Sequence, residues 1–317
     1  MDELYAALQS MQSKKAPGLD GLPVDFYTFF WSVIGEDLLS VLNNSLLNKR
    51  LPLSCRRAVL TLLPKKGDLQ LIKNWRPVSL RCTDYKLLSK VLASRLTKEM
   101  DQIIGPDQTY CVPGRLISDN IVLIRDLLEV AKLFDLNIGL VSIDQEKAFD
   151  RVEQKYLWET MVAFGFTSGF INKIKRLYCN VQSVLKINGV LSAPFQVQQG
   201  IRQGCPLSGM LYSLAFEPLV QKLRSVLQGV ILPGSNIPLK LSAYADDLVV
   251  IVDNQKDTDM LMDIIDQYCM ISAARVNWSK SEALSLGVTG NERREASGSI
   301  RELLLKGRDN DMVVQAG

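Results

Sequence analysis

Tyr244-Ala245-Asp246-Asp247 sets two carboxylates side by side between Leu239–Ala243 and Leu248–Val252, both rich in strand-forming apolar residues. The pattern predicts a β-hairpin with the acids at its turn and the second strand buried on both faces. An Asp pair at a turn is ordinary taken alone, because Asp tolerates turn dihedrals and bonds its own backbone. A third carboxylate changes its weight. Ile138–Ile143 reads as a buried strand that delivers Asp144 at its end, and strands of one sheet could bring Asp144 and Asp246 together. Grouped carboxylates raise one another's pKa unless a cation neutralises them. Oxygen-only ligation selects a hard ion such as Mg²⁺ or Mn²⁺. Two such ions about 3.5–4 Å apart would activate an attacking hydroxyl and stabilise a leaving phosphate oxygen. The chemistry these residues suggest is phosphoryl or nucleotidyl transfer.

Composition narrows the alternatives. The 317 residues contain no histidine, which excludes His-based triads, His-ligated metals and His acid–base chemistry. Six cysteines, at 55, 82, 111, 179, 205 and 269, form no C-x-x-C pair; they read as buried thiols in a reducing, intracellular compartment. No apolar run has the length of a membrane span, and Met1-Asp2-Glu3-Leu4 does not open a signal peptide. The net charge of +3 is uneven: residues 49–115 carry 14 Lys/Arg against 5 Asp/Glu, which leaves the remainder at −6. A basic front and an acidic back suggest a polyanion grip beside a cation site.

The elements that must position these groups follow from pattern. Gly35–Asn48 reads as an amphipathic helix with Leu38, Leu39, Leu42 and Leu46 on one face. Val59–Leu63 and Trp75–Leu80 read as paired strands joined by a basic tip, Pro64-Lys65-Lys66-Gly67-Asp68, able to close over a triphosphate. Asp84 is a candidate N-cap for a long helix to about Ile104, and Ser118–Phe134 forms another. Asp150–Phe164 is helical by pattern, with Asp150 placed to cap it. Asn188-Gly189 predicts a tight hairpin between Ser183–Ile187 and Val190-Leu191. The Gly200–Pro206 loop leads into a helix from about Leu207 to Leu227. Thr258–Ala273 is amphipathic, with Leu261, Ile264, Ile265, Tyr268 and Ile271 inward.

These stretches resemble, in order, the motifs of the reverse transcriptase domain of LINE-type (non-LTR) retrotransposons, over nearly all of residues 10–288. Ala16–Gly21 is similar to the family's opening motif, and Leu63–Gly67 with Asn74–Leu80 to its fingers strands. Ile143–Asp150 resembles motif A, Gln203–Ser208 motif B, Tyr244–Asp247 motif C and Val276–Ser281 motif D. The resemblance implies an α+β fold: right-hand polymerase fingers over residues 1–135, and a palm with a small antiparallel sheet over 136–288. A divergent polar tail at 289–317 would stand where a primer-gripping strand and thumb should follow. It implies that Asp144, Asp246 and Asp247 bind two Mg²⁺ ions (Mn²⁺ being an alternative), helped by the backbone carbonyl of Gln145. Lys65 and Arg76 would contact the triphosphate, Lys66 competing with Lys65 for that part. Gln203 would line the nucleotide and template site, Phe149 would act as a steric gate against a 2′-hydroxyl, and Lys280 would protonate the leaving pyrophosphate.

The function so implied is RNA-directed DNA synthesis, with an RNA template, a DNA primer and deoxynucleoside triphosphates as partners, no membrane, and nuclear action. A catalytically silent nucleic-acid-binding remnant of a retrotransposon is the alternative. Gln199 and Gln154 stand where relatives would carry Arg and His, which implies a weaker hold on substrate.

Overall fold

The computed structural model describes residues 1–286; the tail expected at 289–317 lies outside the described residues. In chain order the strands are β1 (Arg57–Pro64), β2 (Trp75–Arg81), β3 (Ile138–Ile143), β4 (Gln182–Ile187), β5 (Val190–Leu191), β6 (Phe195–Gln196), β7 (Val230–Ile231), β8 (Pro238–Leu239), β9 (Leu241–Tyr244), β10 (Asp247–Val252) and β11 (Glu282–Leu286). The helices include Trp31–Leu47 before the first strand, then Thr83–Ile103, Ile117–Leu133, Ser168–Tyr178, Ser208–Val226 and Gln255–Ser272. Helices interspersed with antiparallel strand pairs make the α+β class expected. Two compact units arise, each from two stretches: residues 1–99 with 161–208, and 100–160 with 209 onward. The fingers–palm boundary expected at 135/136 therefore falls inside the second unit, and residues 161–208 join the first.

The first unit is organised on a sheet of order β2-β1-β4-β5, with β6 also paired to β4. β1 runs antiparallel to β2, with Leu63 opposite Arg76, and parallel to β4, with Arg57 opposite Gln182. The β4–β5 turn has Asn188 at φ 50° and Gly189 at φ 84°, the paired left-handed geometry for which Asn-Gly is suited. The long helix starts at Thr83, so Asp84 lies inside its first turn and is not the cap. Its carboxylate instead accepts from the Ser54 hydroxyl at 2.5 Å and the Tyr85 N–H at 2.6 Å.

The second unit carries the sheet β11-β3-β10-β9. Antiparallel pairing seats β3 between β10 and β11. Ile138, Leu140 and Ile251 pack with Leu127 and Ala131 of the helix Ile117–Leu133, the apolar burial that dominates such a layer. The helix Gln255–Ser272 is capped by Asn254, whose side chain accepts from the Asp257 N–H at 2.8 Å. Leu261, Ile264, Ile265 and Tyr268 are buried as expected, but Ile271 is 61% exposed. The buried stripe steps from 261 to 265, 268 and 272, and this 3.6-residue drift turns Ser272 inward in place of Ile271.

The single helix expected over 150–164 is two, Ala148–Arg151 and Gln154–Ala163. Asp150 lies within the first, whose N-cap is Lys147. The break buries Val152 and lets the Glu153 N–H donate to the Ser272 carbonyl at 3.3 Å. No disulfide joins any of the six cysteines; Cys55, Cys82 and Cys205 are buried, whereas Cys111 is exposed against expectation. Among the described residues no helix is long and apolar enough to cross a membrane.

Candidate active site

The acids meet because of strand register. In the β9–β10 hairpin Tyr244 pairs with Asp247, leaving Ala245 and Asp246 as the turn. Ala245 takes a left-handed φ of 54°, which costs a residue with a Cβ roughly 1–2 kcal/mol. On the other side of β10, Leu248 pairs with Ile143. Carried one residue further, that register sets Asp144 opposite Asp247. The backbone at Asp144 is braced from beyond the helix Gln255–Ser272. Its carbonyl accepts from the Asn277 N–H at 2.8 Å, its N–H donates to the Ser281 hydroxyl at 3.1 Å, and the Glu146 N–H donates to the Arg275 carbonyl at 2.8 Å. Gln145, bridged to Val276, is buried, and its side-chain amide donates to the Asp246 carbonyl at 3.5 Å. Lys280 sits in the same bracing segment, exposed, its N–H bonded to the Asn277 carbonyl.

The acids also act on one another electrostatically. Burial raises the Asp246 pKa above its ordinary value, the charges of Asp247 and Asp144 raise it further, and a bond from its own backbone pulls the other way. Asp247 is raised by burial and then by Asp144. Three carboxylates pressing on one another, with no nitrogen or sulfur donor among them, fit a hard divalent cation whose charge would relieve the repulsion. Another ligand-type cluster among the described residues is Asp20, Cys82 and Asp84, with ligand atoms within 4.8 Å of one another.

Phe149 lies half-buried in the short helix Ala148–Arg151. Its ring stacks on Tyr212 (centroids 4.3 Å apart, 18° between planes) and meets Tyr110 edge-on at 6.5 Å. Tyr110 in turn meets Tyr244 edge-on at 5.2 Å. The Phe149 ring is thus held by aromatic packing on two sides, an arrangement that fixes its position.

Lys65, Arg76 and Gln203 belong to the first unit. Lys65 and Arg76 are exposed at the loop-joined end of the β1–β2 pair, where the Lys65 N–H donates to the Asn74 carbonyl at 2.7 Å. Strand alternation puts Arg76 on the face of Leu63, to which Lys65, two residues on, returns. Gln203 is held through its backbone: the Arg81 guanidinium donates to its carbonyl at 2.8 Å. Next to it, Gly204 has φ 71°, and a Cβ there would lie 2.6 Å from the Ser79 carbonyl oxygen, so only glycine allows this approach.

Arg81 is a contributor that the sequence did not announce. It is 4% exposed, as is Arg202, whose guanidinium donates to the carbonyls of Leu177 at 2.5 Å and Cys55 at 3.1 Å. Both guanidiniums lie over the Tyr85 ring, at 5.1 and 4.2 Å from its centroid. Burial, and then the Arg202 charge, bring the Arg81 pKa down to about 10. Two buried cations sharing one aromatic ring anchor the loop that carries Gln203. No local spacing marks an isolated arginine at a strand end for that task.

The reverse transcriptase (RNA-dependent DNA polymerase) family profile matches residues 63–300, a span that runs into the stretch read as divergent. The chain is 49% identical over 287 residues to a 149-kDa protein of transposon TX1 from Xenopus laevis, covering 90% of this chain and 22% of that protein. It is 25% identical over 295 residues to the Pol polyprotein of the type-2 retrotransposable element R2DM of Drosophila melanogaster, covering 93% of this chain and 27% of that one. The chain thus spans about a quarter of the length of these relatives. Its fold resembles apo telomerase from Candida tropicalis, with a TM-score of 0.54, 15% identity, and coverage of 77% of this chain and 52% of that one. The profile match and the TX1 identity together show that the chain belongs to the reverse transcriptase family, in its LINE-type, non-LTR retrotransposon branch.

Proposed function

We propose that this chain is the polymerising core of an RNA-directed DNA polymerase, extending a DNA primer on an RNA template. The observation that carries this reading is the register that brings Asp144 opposite Asp247 at the end of β3 and the start of β10, within a chain of this family. Two Mg²⁺ ions, when bound, would supply activation of the primer 3′-hydroxyl and neutralisation of the charge developing on the leaving pyrophosphate.

The chain's own residues take the remaining tasks. Asp144 and Asp246 hold the ions most directly, with Asp247 and the Gln145 carbonyl assisting. Arg76 offers the triphosphate a planar fork and Lys65 a point charge. Gln203 lines the nucleotide and template site on a loop fixed by Arg81. Phe149, packed against Tyr212, blocks the space a 2′-hydroxyl would need and so favours deoxynucleotides. Lys280 supplies a proton to the departing pyrophosphate. In this reading the unit of residues 1–99 and 161–208 acts as fingers and the unit of 100–160 and 209 onward as palm.

Primer extension on an RNA template, with Mg²⁺ and all four deoxynucleotides, tests the proposal beside an Asp246→Asn/Asp247→Asn double variant. Extension lost in the variant supports it. A wild-type protein that binds template–primer and never adds a nucleotide refutes it and leaves the silent binding remnant standing.

A further inference from the structure

Ala245, the residue before Asp246 in the turn, is gripped from behind by a fully buried side chain. After the Gly105-Pro106 break, residues 107–109 run alongside β9: the Ala243 N–H donates to the Asp107 carbonyl at 2.8 Å, and the Thr109 N–H donates to the Ala243 carbonyl at 3.1 Å. Gln108, between them, is fully buried. Its Oε1 accepts from the Ala245 N–H at 3.2 Å and from the Tyr110 N–H at 2.9 Å, while its Nε2 donates to the Ala245 carbonyl at 3.3 Å. The two N–H groups demand the acceptor and the carbonyl demands the donor, so the network fixes which way the amide faces.

Ala245 is where the hairpin needs holding. It is buried, it carries the left-handed φ of 54°, and it stands directly before Asp246. A buried N–H and C=O cannot both go unmet without a substantial cost, and Gln108 meets both at once. We propose that Gln108 is a positioning residue that holds the Asp246-Asp247 turn in its ligand-presenting shape by pairing with the whole backbone of Ala245. The proposal rests on the reading of that turn as the metal-binding edge of a polymerase.

Few side chains could replace it. Asn is one methylene too short to span both groups. Glu keeps the acceptor but turns a second oxygen against the Ala245 carbonyl and adds a negative charge behind the acids. Asn120 makes a neighbouring bond, Nδ2 to the Ser242 hydroxyl at 2.7 Å and to the Ala243 carbonyl at 3.1 Å. That bond supports β9 without reaching the turn.

The test joins two measurements on the full chain as wild type, Gln108→Ala and Gln108→Glu. The first is amide hydrogen exchange of residues 243–248 in the metal-free protein. The second is primer extension as a function of Mg²⁺ concentration, resolved into kcat and KM for template–primer. Both variants should exchange faster in residues 243–248 while other segments keep their protection. Their kcat should fall by about 100-fold, the scale of a 1 Å misplacement, with KM for template–primer unchanged and half-saturation by Mg²⁺ moved upward. Unaltered exchange at the turn, or a wild-type kcat, overturns the proposal, as does loss of protection spread through the whole unit in both variants. Should the wild type add no nucleotide, the polymerase reading falls, and the exchange measurement still decides whether Gln108 holds the turn.

Discussion

Asp144 follows Ile143 and Asp247 precedes Leu248, the end pair of the β3–β10 ladder, and the Asp144 charge helps raise the Asp247 pKa. Two like charges so placed destabilise the sheet that carries them unless a cation intervenes. The strand ends therefore hold a repulsion that is useful only when a ligand neutralises it.

This sets the behaviour of Asp246→Asn. In the proposed reading Asp246 holds a metal ion, and its loss would remove several kcal/mol of charge stabilisation, so nucleotide addition should fall by about 1,000-fold at 1.36 kcal/mol per factor of ten. In EDTA at neutral pH, the same variant should melt higher than wild type. The sign follows from linkage: Asp246 has its folded pKa raised above 3.8, so the folded state binds the proton more tightly and stability declines as pH rises through the raised value. Below it the wild-type residue is protonated too, and the gap between the two melting curves should close. Melting temperatures across that range, with and without Mg²⁺, check both halves.

Phe149→Ala should relax sugar discrimination. With the ring gone from its stack on Tyr212, insertion of UTP relative to dTTP should rise on the order of 100-fold, the scale on which a filled pocket rejects one small group. Because the ring is only half-buried, the stability cost should stay below the roughly 3–5 kcal/mol of a fully buried Phe→Ala change. Single-nucleotide insertion kinetics decide it.

Gly204→Ala should hurt through shape alone. The new Cβ meets the Ser79 carbonyl oxygen at 2.6 Å in a backbone with φ 71°, which should cost about 1–3 kcal/mol. Chemical denaturation measures that loss. Extension assays should show raised deoxynucleotide KM, since Gln203 is displaced with its neighbour.

Arg76→Ala and Lys65→Ala make the opposite case. Both residues are exposed at a strand end, so denaturation midpoints should match wild type while KM for deoxynucleotides rises by about 10-fold, with Arg76→Lys recovering only part of it. An unchanged KM in both variants would remove them from the triphosphate site.

Much of this was readable beforehand where local and global preferences agree. The strand Ile138–Ile143 and the Asn188-Gly189 hairpin have the expected bounds within a residue because alternation, β-branching and turn chemistry point the same way. The helix Ser168–Tyr178 is also marked in the sequence, by a Thr167 cap bonded to the Phe170 N–H, an inward Ile171, Ile174 and Leu177, and Lys175-Arg176 in its last turn. Asp84 illustrates a different limit. Its type suits a cap, yet Ser54, 30 residues away, gives its carboxylate another partner. The same holds for Gln108 and Arg81, whose roles depend on which backbone the fold carries past them.

The parallel pairing of β1 with β4 joins Arg57 to Gln182, and it governs how the chain can mature during synthesis. Until the segment around 182–187 leaves the ribosome, β1 has only β2 beside it, and a two-stranded ribbon is marginal in water. Meanwhile residues 100–160 belong to a unit whose other half begins at 209. Nascent polypeptide thus passes through a long interval with unsatisfied strand edges exposed, the condition that invites aggregation and chaperone capture.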